Sequence, residues 1–229
     1  MNSVNNASRL GYRLGVESAE TAAEVRSTYR HGDLRHALLA AGLELARTGG
    51  PDAVVLREAT RRVGVSPNAA YRHFADRAAL LAAVSDAAQG LAADRMSDEL
   101  AGVQSSADSA TTARLRLRAV GRAYIDFAQH DSGLFRAAFT VPGDLRDAFG
   151  PAKAGRDGRS PFQLLAAVLD EMVESGTLER ASRPGREFLA WSAVHGLAML
   201  VIDGPLRGLS EDMIRDARER LLDMVDRGL

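Results

Sequence analysis

The 229-residue chain has no cysteine, so neither a disulfide framework nor a thiolate metal site is open to it. Aromatic residues make up only 5%, and the β-branched runs that a sheet needs are missing, which leaves an all-α fold. Long hydrophobic runs are missing too. No stretch approaches the roughly eighteen apolar residues of a membrane span, and the first residues lack the apolar segment of a secretory leader. A cytoplasmic protein with no membrane partner is the expectation. Lysine is nearly absent as well: Lys153 is the only one among 29 basic residues.

Catalytic patterns are equally scarce. No Ser, His and acid combination is locally marked, no His pair sits at metal-binding helical spacing, and no Gly-rich phosphate loop follows a strand. His31 and His36 have no carboxylate or further His at a ligand-like spacing. Asp170, Glu171 and Glu174 share one predicted helix and read as a solvated acidic face. No enzyme, metal or cofactor is expected.

What is there is unevenly distributed. The net charge is −1, yet Arg26 to Leu80 holds nine arginines against five acids, and Leu81 to Leu229 holds eighteen basic against twenty-two acidic residues. A basic end on an acidic body is what binding to phosphates through that end requires.

Within the basic end, Leu56 to Leu80 reads as a helix-turn-helix and the start of a further helix. Leu56, Ala59 and Val63 fall on one face of the first helix, with Arg57, Arg61 and Arg62 on the other. Gly64 tolerates the left-handed backbone that ends a helix, and Ser66-Pro67 is a cap and first-turn pair that starts another at once. In that second helix Ala70 and Phe74 face inward, which leaves Pro67, Asn68, Tyr71 and Arg72 outward. Asn bonds adenine and Arg bonds guanine bidentately, so Asn68 and Arg72, with Pro67 alongside, are the base-reading candidates for a double-stranded DNA partner. Tyr71, His73 and Arg77 suit phosphate oxygens, and the outward Arg57 joins them as a DNA-binding candidate. Asp76 caps the next helix and aims its free N–H groups at a phosphate beside Arg77.

Gly64-Val65-Ser66, then Tyr71-Arg72-His73-Phe74, then Asp76-Arg77 with Leu80-Leu81, resembles the DNA-binding domain of the TetR family of bacterial transcriptional regulators. The resemblance covers about Tyr29 to Val84. Four departures stand out. Val55 replaces the usual Ser or Thr, so the hydroxyl that would cap the helix and touch a phosphate is missing. Ala59 and Ala69-Ala70 replace bulkier residues, with Val54 and Leu56 as compensation, and Arg77 replaces Lys with a different donor geometry.

The rest of the chain reads as helices around this motif. Residues 1–28 form a polar, flexible extension in which Arg9 and Arg13 could make a DNA-reaching arm or an inert tail. Asp33 is expected to cap a helix to about Thr48 that completes a three-helix head, residues 29–80. Residues 81–229 form a larger helical body for ligand binding and dimerisation. A long helix from Asp76 to about Leu100 joins the two and can act as a lever. Val141 to Ser160 is a Gly- and Pro-rich loop with the length of a lid. Helices follow at Ser160, at about Arg186 to Ile202, and from Ser210 to the end, the last with a long apolar stripe.

The resemblance implies a homodimer through the last two helices, a pseudo-palindromic operator and a repressor released by a small effector. Trp191 with His195-Gly196-Leu197 is similar to the C-terminal domain of one TetR subgroup. Tyr124, Phe127, Phe135, Phe139, Phe162, Trp191 and His195 are the candidate lining of a largely apolar effector pocket, although each alone also fits ordinary core. Two other readings stand beside this one: a helical small-molecule binding protein without sequence-specific DNA binding, and a helical enzyme using His195.

Overall fold

A computed structural model describes residues 31–229; the extension with Arg9 and Arg13 lies outside the described residues. Among those described there are nine α-helices, four short 3-10 turns and no strand. The helices are α1 (His31–Gly49), α2 (Leu56–Val63), α3 (Pro67–Tyr71), α4 (Arg77–Gly102), α5 (Ser109–His130), α6 (Ser132–Phe139), α7 (Pro161–Glu174), α8 (Arg186–Ile202) and α9 (Glu211–Gly228). None of them is long and apolar enough to cross a membrane.

Local chemistry sets the ends of the helices in the head. Gly64 takes a left-handed φ of 75°, and the N–H groups of Gly64 and Val65 turn back onto the Thr60 carbonyl at 2.9 and 3.1 Å. Ser66 then caps α3 by accepting from Ala69 N, with Pro67 in the first turn, and Asp76 caps α4 by accepting from Ala79 N at 2.8 Å. Val55 gives α2 no side-chain cap. One boundary differs from expectation. By Asp33 the chain is already helical, α1 having begun at His31, so Asp33 sits inside the first turn and not at the cap.

Small residues under the reading helix do not leave the head hollow. Val54 and Leu56 are buried beside Ala59, Ala70 and Phe74, and Leu38, Leu45 and Leu80 close the cluster. The Arg35 guanidinium lies 5.2 Å over the Phe74 ring, a cation–π contact that ties α1 to the motif.

The head core continues without a break into the body, through α4, the C-terminal half of α5 and α6. A second cluster packs the far half of α4 against α5, α7 and α8. Ion pairs seal α9 along α5. Arg122 grips Glu219 through two bonds of 3.1 Å, and Arg114 meets Asp226 at 2.7 Å. The hydrogen bond from Arg122 is the main cause that holds the Glu219 carboxyl down at about 2.

Two close approaches shape the molecule, the first of them between head and body. At Gly133 a Cβ would come within 2.9 Å of the Arg47 carbonyl carbon and nearer still to the Ala46 and Arg47 oxygens, so α6 abuts the C-terminal end of α1 backbone to backbone. Beside it Asp131, its side chain 10% exposed, takes Arg47 of α1 and Arg95 of α4. The other end of α6 is held by α4, since Ser85 and Gln89 both donate to the Ala138 carbonyl, at 3.2 and 3.0 Å.

The second approach pins the long loop. Gly90 leaves room for the Ala154 carbonyl, which a Cβ would meet at 2.9 Å. Arg156 N donates to Asp94 at 2.7 Å, its guanidinium reaches Asp98, and Ser97 donates to Asp157. The second half of the expected lid is therefore strapped along α4, while residues of its first half, together with Lys153, line a cavity.

Candidate nucleic-acid interface and ligand cavity

The turn at Gly64 presents α3 on the surface. Pro67, Asn68, Tyr71 and Arg72 are exposed on it, Tyr71 at 55%, and Arg57 is exposed on the neighbouring α2. His73 is half-buried. Arg61 is committed elsewhere, since it donates two bonds of 2.9 and 2.7 Å to Glu58, and Arg62 lies 3.5 Å from the same carboxylate. The Arg61 hydrogen bond is the largest cause that holds the Glu58 carboxyl at about 2.

Arg77 has a second task that its position in the motif did not reveal. Its Nε donates to the Val54 carbonyl at 2.9 Å and its Nη2 to the Pro51 carbonyl at 2.8 Å, with Asp52 at 3.7 Å. The guanidinium braces the turn ahead of α2 against the start of α4, so part of its donor fork is already engaged.

The body encloses a cavity of about 510 Å³ between α4, α5, α7 and α8, with the end of α6 and the start of the long loop at its edge. Of the seven predicted residues, Tyr124, Phe139, Phe162 and Trp191 line it. Phe127 and Phe135 do not. They are 2% and 0% exposed, their rings 6.4 Å apart, in the core that α5 and α6 share. His195 is behind the wall, stacked on Phe135 at 5.7 Å.

A hydrogen-bonded chain links that wall to His195. Trp191 Nε1–H donates to the Tyr124 hydroxyl at 2.9 Å, and that hydroxyl lies 2.9 Å from His195 Nδ1. Burial pushes the Tyr124 hydroxyl up and the His195 imidazole down. A neutral imidazole protonated on Nε2 then accepts a hydrogen bond from the Tyr124 hydroxyl at Nδ1, so that hydroxyl both donates and accepts. The sequence reading missed Gln89, Arg118, Lys153 and Phe188, which also line the cavity. Only Phe188, in an apolar helix, carried a signal that could have found it. No group of His, Asp or Glu among the described residues is placed to hold a metal ion.

A small three-helix head exposing the second helix of a helix-turn-helix, joined by one long helix to a helical body with an internal cavity, defines a helix-turn-helix protein with a separate helical body. Comparison with known proteins agrees. Residues 38–84 match the family model for bacterial regulatory proteins of the tetR family, and residues 117–225 match the tetracyclin repressor-like C-terminal domain. The chain belongs to the TetR family of DNA-binding transcriptional regulators.

Among solved structures it is similar to a protein of unknown function from Rhodococcus sp. RHA1, with 25% identity over 89% of this chain and 99% of that one, at a TM-score of 0.67. It also shares its fold with SCO4313, a candidate regulatory protein, at 20% identity, 85% and 96% coverage and a TM-score of 0.56. A TetR transcriptional regulator from Streptomyces coelicolor, SCO0520, matches at 25% identity over 85% of this chain and 97% of that one, with a TM-score of 0.40. No curated protein matches.

Proposed function

We propose that this regulator is a cytoplasmic homodimeric repressor that leaves a pseudo-palindromic operator when a small, largely apolar effector fills the cavity. Asn68 and Arg72, with Pro67 beside them, read base edges, while Arg57, Tyr71 and His73 meet phosphates, as does whatever part of the Arg77 fork the brace leaves free. Residues 29–80 act as the reading unit, and 81–229 as the sensing and dimerising unit.

The observation that carries this reading is the position of α6. Its C-terminal residues Ala138 and Phe139 border the cavity, and its N-terminal Gly133 abuts α1 in the head. An effector that displaces one end moves the contact at the other. Two heads spaced for successive major grooves lose their match, and DNA affinity falls by the coupling between the sites.

Dimerisation through α8 and α9 is supported by what those helices leave in solvent. Leu189 and Leu200 on α8, and Met213 and Met224 on α9, are between 44% and 59% exposed. Gly196 lies between the two leucines, and a Cβ there would meet nothing within 4 Å. Apolar stripes on two adjacent helices gain stability by burial against their copies.

The test is selection of random duplexes by refolded, ligand-free protein, with sedimentation on the duplex recovered. A pseudo-palindrome bound by two chains is expected, and Leu189→Glu with Leu200→Glu should give monomers that no longer hold it. No enriched sequence, or a single chain on an asymmetric site, would overturn the reading.

A further inference from the structure

We infer that the cavity is built for an organic acid, a molecule with an apolar body and one carboxylate that is met by the Lys153 ammonium. The inference rests on the reading of the cavity as the effector site and names the chemistry that site selects.

All but one of the polar side chains on the cavity wall are already engaged. Tyr124 and Trp191 are satisfied by each other and by His195. Gln89 spends its amide N–H on the Ala138 carbonyl, and Thr140 spends its hydroxyl proton on the Arg136 carbonyl at 2.7 Å. Arg118 lies between Glu219 and Asp223, each at 3.5 Å. Asp144 is held by Arg146, through its backbone N–H at 2.8 Å and its guanidinium at 3.0 Å. Lys153 stands apart from them. Its side chain is 12% exposed, and among the described residues its nearest acid is Asp86 at 3.9 Å and its ammonium makes no hydrogen bond.

An ammonium removed from bulk water needs acceptors, and each one missing is costly. Asp86 is a poor substitute, because 3.9 Å is beyond a hydrogen bond and burial pushes its carboxyl up, against the charged form. A carboxylate entering the cavity supplies both the charge and the acceptors, as a charge-assisted pair. The rest of the molecule then meets Phe139, Phe162, Phe188 and Trp191, all apolar surface.

The position of Lys153 is fixed, not incidental. Its backbone N–H donates to Gly150 at 3.1 Å, the next carbonyl packs into the space left by Gly90, and Arg156 anchors the following turn on Asp94. In a chain that otherwise uses arginine, the single lysine occupies the cavity wall.

The experiment is calorimetric titration of the refolded full chain with naphthylacetic acid, naphthylethanol and naphthylethylamine, three probes sharing one apolar body. The acid should bind about ten- to a hundredfold more tightly than the alcohol, the range expected of one hydrogen-bonded charge pair, and the amine most weakly. Lys153→Met should erase the preference and leave alcohol binding unchanged. Asp86→Asn should strengthen acid binding by removing the competitor, and it guards against a Lys153→Met protein that fails to fold. Acid and alcohol binding alike, or a preference that survives Lys153→Met, would overturn the acid assignment while leaving the cavity as a binding site. No binding of any probe would overturn the cavity reading and the acid assignment together.

Discussion

Gly133→Ala tests whether α6 sets the head against the body. The added Cβ would stand 2.9 Å from the Arg47 carbonyl carbon, where ordinary contact is 3.4–4 Å, and closer to two backbone oxygens. Backbone cannot rotate away as a side-chain tip can, so α6 and α1 must separate by about half an ångström or more at that point. Overpacking of this kind costs about 1–3 kcal/mol. For a chain of this length each kcal/mol lowers Tm by about 2–4 °C. Operator affinity, measured by fluorescence anisotropy at fixed salt, should fall with it, by about fivefold or more if the displacement reaches the spacing of the heads. Gly102→Ala is the control, since a Cβ there meets nothing within 4 Å. A Gly133→Ala protein with the parent's Tm and the parent's DNA affinity would refute the reasoning.

Other perturbations separate roles that share a residue. Arg77→Lys keeps the charge but cannot span the Val54 and Pro51 carbonyls, so it should lower stability by about 1–2 kcal/mol while preserving the salt dependence of DNA binding; Arg77→Met should lower both. His195 is held neutral by burial, its imidazole below the usual range. The unfolded chain then binds more protons as the pH drops below about 6.5, so stability falls toward acid, and urea titrations of His195→Gln should show a shallower fall. Glu219, held at about 2 in the fold, contributes stability above the usual glutamate range that is lost as the pH falls toward 2; the α9 seam should loosen over that window, and in Glu219→Gln it should be weakened at every pH.

Legibility in the sequence followed the range of the forces involved. The stop at Gly64, the caps at Ser66 and Asp76 and the alternation around Ala70 and Phe74 are interactions over five or fewer residues. Each was readable before any contact was known. The cavity depends on which faces of four helices converge. Phe127 and Phe135 carry the same aromatic signal as Tyr124 and Phe139 but turn into the α5 and α6 core. His195 was readable as a polar residue in an apolar helix, but its place behind Tyr124 was not. Lys153 lay in a loop with no periodicity, and its position follows from Gly90, sixty-three residues earlier. The long loop read as a lid because its glycines and prolines signal turns; nothing local signals that Asp94 and Asp98 wait on α4 to receive Arg156.

On the proposed function, the outward face of α3 reads DNA from two symmetry-related chains. The most direct test compares the sequences enriched from random duplexes by the parent protein and by Asn68→Ala. The parent should enrich a symmetric motif and Asn68→Ala the same motif with preference lost at one position in each half-site, worth about 1–3 kcal/mol there, and the remaining positions kept. Identical motifs from both proteins would contradict it.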